Sequence, residues 1–318
     1  MKSNTGFPDT GIQTSLFTGI GWDHQNGLQE WARRLRNPTT GILLGVTDFG
    51  NRENIGHSIT LMPYLELNPF SNQTTRWKLR TGLGASYLTE KYDPVNNPFN
   101  RAVSTNFKWS FRTLLFYDIA RLEKTTWRIG LGYTHHSNGH TRLPNQGLNS
   151  LVGSLEADFH GESRAGHLKQ FTEDNVRLRT IQGYLTLRAG LGQNVLSEIF
   201  NDRKEVYTIE ASYGKIINST FKFGLGLFYR FYEHYYDYIK NEEQLVVELY
   251  PYFGENPFRY ATNYGITGSA ELLMGHVGVE LNIGFNIYKP AYKIDWQLND
   301  GYTYQSGDET IIVLGELD

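Results

Sequence analysis

The chain has 318 residues, a formal net charge of −3 and no cysteine. That length holds one large domain or two smaller ones, the charge leaves no basic footprint for nucleic acid, and the missing cysteine excludes disulfides, thiolate nucleophiles and Cys-based metal sites. Tyr (21), Phe (18) and Gly (33) are abundant, while the apolar runs are short, as in GILLGV at 41–46, and fall far below the ~18 residues of a membrane-spanning helix. The N-terminal MKSNTGFPDTG has no apolar stretch of the signal-peptide kind, so no signal peptide is expected in the sequence as it stands.

Helical periodicity is scarce, and alternation with period two is long and frequent. Strands are predicted to start near 11, 41, 56, 76, 104, 125, 149, 178, 204, 219, 260 and 276, with a further short run, TIIVLGE, at the end. Pro63, inside SITLMPYLE, cannot donate to a ladder and predicts a bulge or a break. In 77–87, Trp77, Leu79, Leu83 and Tyr87 oppose Lys78, Arg80 and Gly82. In 107–119, Phe107, Trp109, Phe111, Leu115, Tyr117 and Ile119 oppose Lys108, Ser110, Arg112 and Asp118. The same two-faced pattern returns in FKFGLGLFYRFY (221–232) and HVGVELNIGFNIY (276–288). Successive strand side chains point to opposite faces, so each segment has one apolar and one polar face.

A soluble sandwich turns its apolar face inward, whereas a transmembrane barrel turns it to lipid and keeps polar groups in the lumen. Three features favour the barrel. Many runs exceed the ~5–6 residues usual for soluble strands and reach the ~9–11 that cross a bilayer. Aromatics crowd strand ends, as in FYRFYEHYYDY (228–238), where girdles sit. Charges stand mid-strand on the other face, where a soluble core rejects them. The expected fold is all-β: one transmembrane antiparallel β-barrel over 1–318, of about twelve strands (up to fourteen), with long extracellular loops. The lumen row Lys78, Arg80, Lys108 and Arg112 is expected to pair with Glu66, Asp118 and Glu280 rather than to line a selective pore. Gly pairs such as GLGASY read as strand packing, with no helix following to make a phosphate cradle.

The stretch GYTHHSNGHTRLPNQGLNSL (132–151) concentrates polar residues around one turn. Carrying the alternation through 127–138 places His135 and Ser137 with Ile129, Leu131 and Tyr133 on the lipid face, and His136 and Asn138 on the lumen face. In the next strand Asn149 joins Leu151, Leu155 and Phe159 outside, and Glu156 points inward. Adjacent histidines on opposite faces cannot share an ion, which counts against a metal site. A plain surface turn suits Asn and Gly but leaves an outward Ser, His and Asn without a reason. A serine, a base and a group that orients the base are the parts of an acyl-transfer site.

The pieces His135-His136-Ser137-Asn138 and Pro144-Asn145-Gln146-Gly147 resemble the motif of the lipid A 3-O-deacylase (PagL-like, or acyloxyacyl hydrolase) family. LRTGLGASYLTEKYDPVNNP (79–98) resembles the stretch before the motif in that family's larger, Bacteroidetes-type outer-membrane versions. The resemblance covers roughly 40–160 and leaves 161–318 as additional strands and loops. It implies a bacterial outer-membrane β-barrel esterase that removes the 3-linked 3-hydroxyacyl chain from lipid A of lipopolysaccharide in the outer leaflet. Ser137 takes the place of the nucleophile and His135 that of its base. Asn138 and Asn145, with Gly147 of the same motif, match positions that orient substrate or stabilise an oxyanion. The family's small members carry Glu at the third triad position, where this chain has Asn149. An amide can orient an imidazole but brings it no negative charge, so reduced or absent activity is expected. No metal or organic cofactor is implied. Two other readings are a non-catalytic barrel serving an outer-membrane assembly and a pore for small apolar molecules. The charged stretch 162–178 reads as a solvated extracellular loop, with Arg164, Lys169 and Arg177 gripping lipid A phosphates as the weaker alternative.

Overall fold

In the computed structural model, which describes residues 7–24, 29–70, 76–160, 179–299, 302–306 and 309–313, the alternating segments form long antiparallel strands. By contacts the chain divides into two units, Met1–Gly139 with Pro144–Arg179, and His140–Leu143 with Thr180–Asp318. The first unit holds β1 (Thr14–Asp23), β2 (Thr39–Asp48), β3 (His57–Leu67), β4 (Trp77–Leu88), β5 (Phe107–Arg121), β6 (Thr125–Ser137) and β7 (Leu148–Phe159), paired in chain order as one sheet. A short helix, α1 (Glu30–Arg34), lies between β1 and β2.

The two faces of this sheet are inverted relative to a soluble protein. Leu131 and Leu151 are 75% and 89% exposed, whereas Arg128 and His136, on the opposite face, are 2% and 5% exposed. Ion pairs fill the covered face. Arg80 on β4 holds Glu66 on β3 at 2.7 Å and Glu156 on β7 at 2.6 and 2.9 Å, and Arg128 on β6 holds Glu66 at 2.9 Å and also pairs with Asp158. β4 and β7 are three strand spacings apart, roughly 14 Å in a flat sheet at ~4.8 Å each. A two-nitrogen fork between them therefore requires the sheet to curl about its charged face. Ser150 on β7 also donates to Gln13, the residue before β1, at 2.5 Å, which brings the two edges close at that end.

The lumen-row expectation holds for some pairs and fails for others. Glu66 takes Arg80 as expected, but Lys78 bonds Asn68 at 2.6 Å, Asp118 pairs with Arg121 at 2.8 Å, and Arg112 stacks over Phe17 at 4.0 Å. Lys108 is 3% exposed, and its ammonium has no partner among the described residues. Parity assigns a face but not a partner, since partners depend on curl. Pro63 also behaves differently from expectation. β3 runs through it, opposite Ile42 of β2, with no register shift; only the rungs of Met62 and Pro63 to β4 are missing.

The connections 49–56, 89–106 and 138–147 meet at one end of this sheet. Phe49, Ile55, Leu88, Ala102, Val103 and Leu148 form a buried core there, and Asn97 and Asn100 both donate to the Asn54 carbonyl, at 2.8 and 2.6 Å. This packed floor carries the 132–151 motif.

The second unit holds β8 (Ile181–Asn194), β9 (Lys204–Ile217), β10 (Phe221–Tyr232), β11 (Thr262–Met274) and β12 (Val277–Tyr288), again paired in chain order. Arg188 on β8 grips Glu280 on β12, the opposite edge, at 2.8 and 2.5 Å, so this sheet curls about its polar face as well. One end is covered by α2 (Glu233–Lys240), α3 (Gln244–Leu249), a 3-10 turn (Pro251–Glu255), α4 (Pro257–Tyr260) and α5 (Tyr292–Asn299). The aromatic run 228–238, expected as a girdle, is therefore only partly strand: from Glu233 it is helical, and Tyr235, Tyr238 and Ile239 fall on one helix face and enter a buried core with Leu196, Phe253 and Ile294. A short hairpin, β13 (Tyr302–Ser306) and β14 (Glu309–Val313), takes up part of the closing run. The stretch 162–178, with Arg164, Lys169 and Arg177, lies outside the described residues.

Candidate active site

β6 carries Tyr133, His135 and Ser137 on its exposed apolar face and Thr134 and His136 on the covered one, and Asn138, just past its end, is buried. Register sets each neighbour: His135 lies between Phe111 of β5 and Asn149 of β7, and Ser137 lies opposite Trp109 of β5. The three residues expected to share a face thus do so on adjacent strands.

The side chains of two of them are bonded. His135 Nδ1 is 2.7 Å from Asn149 Oδ1, and the Tyr133 hydroxyl donates to the same oxygen at 2.5 Å. An amide oxygen only accepts, so Nδ1 carries the proton and Nε2 is left with its lone pair. No hydrogen bond joins Ser137 Oγ to the ring among the described residues, and Nε2 is the ring nitrogen that Asn149 leaves unused. Tyr133 was not foreseen as a member of this group, although its place two residues before His135 on the same face was a signal for it.

Gly147 supports the ring from below. Its φ is +74°, and a Cβ there would stand 3.1 Å from His135 Cε1. Its N–H bonds the Ala102 carbonyl at 2.9 Å, so the backbone under the imidazole is fixed to the packed floor. Asn138 and Asn145 hold the turn after the serine. Asn145 Oδ1 accepts the Asn138 backbone N–H at 3.1 Å, and Asn138 Nδ2 donates to Ser104 at 3.0 Å. The Asn138 side chain is therefore buried on the face away from Ser137, and its amide is committed to Ser104.

His136 belongs to a separate group. Its Nδ1 is 2.7 Å from Ser110 Oγ and 3.3 Å from Ser86 Oγ, Thr60 extends the chain at 2.6 Å, and the Phe49 ring meets it edge-on. These hydroxyls and the imidazole are buried together and satisfy one another across β3 to β6.

Residues 14–157 match the lipid A 3-O-deacylase (PagL) family, and residues 177–305 match the acyloxyacyl hydrolase C-terminal domain. The chain belongs to the PagL-like family. No curated protein and no solved structure matches it. The PagL match runs over β1 to β7 and contains the whole His135–Asn149 motif. The second match extends the assignment to β8–β12, which the motif alone left unassigned. Both families are described by the hydrolysis of acyl esters, the chemistry that a serine beside an oriented imidazole performs.

Proposed function

We propose that this PagL-like chain is an integral outer-membrane esterase that removes the 3-O-linked 3-hydroxyacyl chain of lipid A from the outer leaflet. The observation that carries the reading is the His135–Asn149 bond beside Ser137 on the apolar, exposed face. Ser137 Oγ attacks the ester carbonyl while His135 Nε2 takes its proton. The same nitrogen returns the proton to the departing lipid A hydroxyl, and water, activated by His135, then releases the fatty acid from Ser137. Asn149 keeps the ring in place throughout. Asn145 is the side chain best placed to offer an amide donor to the oxyanion, while Asn138 pins the turn.

The depth of the site fits its substrate. Aromatic pairs stand at both ends of the β4–β5 ladder, Trp77 with Tyr117 and Tyr87 with Phe107, at ring distances of 4.9 and 5.3 Å. The ten residue steps from Trp77 to Tyr87 span ~33 Å at ~3.3 Å each, or ~25 Å at a barrel-like tilt of ~40°, the height of an outer-membrane apolar band. Ser137, opposite Trp109, lies at the rim of that band, the level of an acyl ester.

A barrel that keeps the motif without turnover is the second reading, favoured by the amide at 149 and by the absence, among the described residues, of a bond from Ser137 to the imidazole. The ion pairs crowding the curled face of β3 to β7 count against a pore. Purified protein incubated with lipopolysaccharide in native lipid, with lipid A read by mass spectrometry, separates these. Wild type is expected to release a 3-hydroxy fatty acid and Ser137→Ala to leave lipid A intact; if both leave it intact, the esterase reading fails.

A further inference from the structure

We infer that Tyr133 sets which end of the Asn149 amide faces His135, and so decides where the imidazole carries its proton; this rests on the serine-esterase reading above. The phenol O–H and the ring Nδ1 converge on one atom, Asn149 Oδ1, at 2.5 and 2.7 Å. A carboxylate in this slot has two equivalent ends, and either accepts. An amide has one accepting end and one donating end. With the carbonyl toward the ring, Nδ1 holds the proton and Nε2 is free to take one from Ser137. With the amide reversed, its NH2 donates to Nδ1, the proton moves to Nε2, and the nitrogen facing the serine can no longer act as a base. In serine triads the wrong tautomer costs on the order of 10⁴-fold in kcat.

Nothing in the Asn149 side chain itself prevents the reversal. Tyr133 does, because a phenol donates well and accepts poorly, and its O–H lies 2.5 Å from the same amide oxygen as the ring. The exposed apolar setting strengthens this choice. Leu131 and Leu151 flank the group, both largely exposed, so in lipid no water stands by to satisfy a misplaced NH2. Tyr133 is thus a positioning residue: it acts on the serine through the amide and the ring without touching the ester.

Tyr133→Phe is expected to lower kcat about twofold or more, with KM unchanged, because removing the one hydrogen bond that separates the two amide orientations leaves both of them populated. In an Asn149→Asp background the same change is expected to have little effect, since a carboxylate has no wrong end. Equal losses in both backgrounds would mean that Tyr133 only supports the fold, and would overturn the inference. A second readout needs no turnover. Imidazole ¹⁵N shifts of His135 in lipid bilayers are expected to report Nδ1–H in wild type and a mixture with Nε2–H in Tyr133→Phe. An unchanged tautomer overturns the inference even if the enzyme is active. If neither wild type nor Asn149→Asp releases fatty acid while the tautomer does shift in Tyr133→Phe, the esterase reading fails and the Tyr133 switch stands.

Discussion

A methyl group at position 147 would meet the His135 ring at 3.1 Å and would sit on a backbone with φ +74°. Gly147→Ala is therefore expected to cost about 1–2 kcal/mol of stability and to lower deacylation by tilting the imidazole; unfolding in detergent and the lipid A assay read the two effects separately. Lys108 presents the opposite situation, a buried amino group with no partner among the described residues. Lys108→Met keeps most of the side-chain volume and removes the desolvation burden, so it is expected to raise the unfolding midpoint by an amount equivalent to about 1 kcal/mol or more. At this scale alternation made much legible: the faces of His135, Ser137 and Asn149 follow from parity. The bond from Tyr133 to Asn149 was not legible, because it depends on which rung of β7 stands beside β6.

Among the elements, α2 shows how local pattern and tertiary need can diverge. FYRFYEHYYDY reads equally as an aromatic strand end or as a helix with tyrosines three and four apart, and only a core waiting to receive Tyr235, Tyr238 and Ile239 selects the helix. The same burial traps His234, whose two ring nitrogens have no partner among the described residues and whose pKa burial lowers from 6.5 to about 3. In the unfolded chain the ring protonates near 6.5, while in the fold it stays neutral down to about 3. Between those values the unfolded state takes up the proton, so the stability of the helical cap falls as pH falls through this window and is unaffected above it. Denaturant unfolding followed by tyrosine near-UV circular dichroism is expected to show this slope in wild type and to lose it in His234→Phe. Pro63 marks the other side of the same lesson: a residue that breaks many strands is carried here at the cost of two rungs, because the neighbouring β2 ladder stays whole.

Over the whole molecule, polarity is arranged inside out. Leucine, isoleucine and valine stand exposed along strand after strand, while arginines and carboxylates are covered. Leu131→Arg, at the middle of the apolar face of β6, is expected to destabilise the protein in a bilayer by about 2–4 kcal/mol. Folding titrations into vesicles measure it, and a neutral result would argue that this face does not contact lipid.

The alternation, the long strands, the two faces and the shared face of His135, Ser137 and Asn149 were determined by the sequence by itself, because side-chain direction in a strand depends only on counting along the chain. The tertiary structure alone decided that Arg80 reaches Glu156, that Lys108 finds no partner among the described residues, that helices cap the second unit and that a phenol holds the Asn149 amide. Those outcomes depend on register and curl, which are set by the packing of residues far apart in the chain.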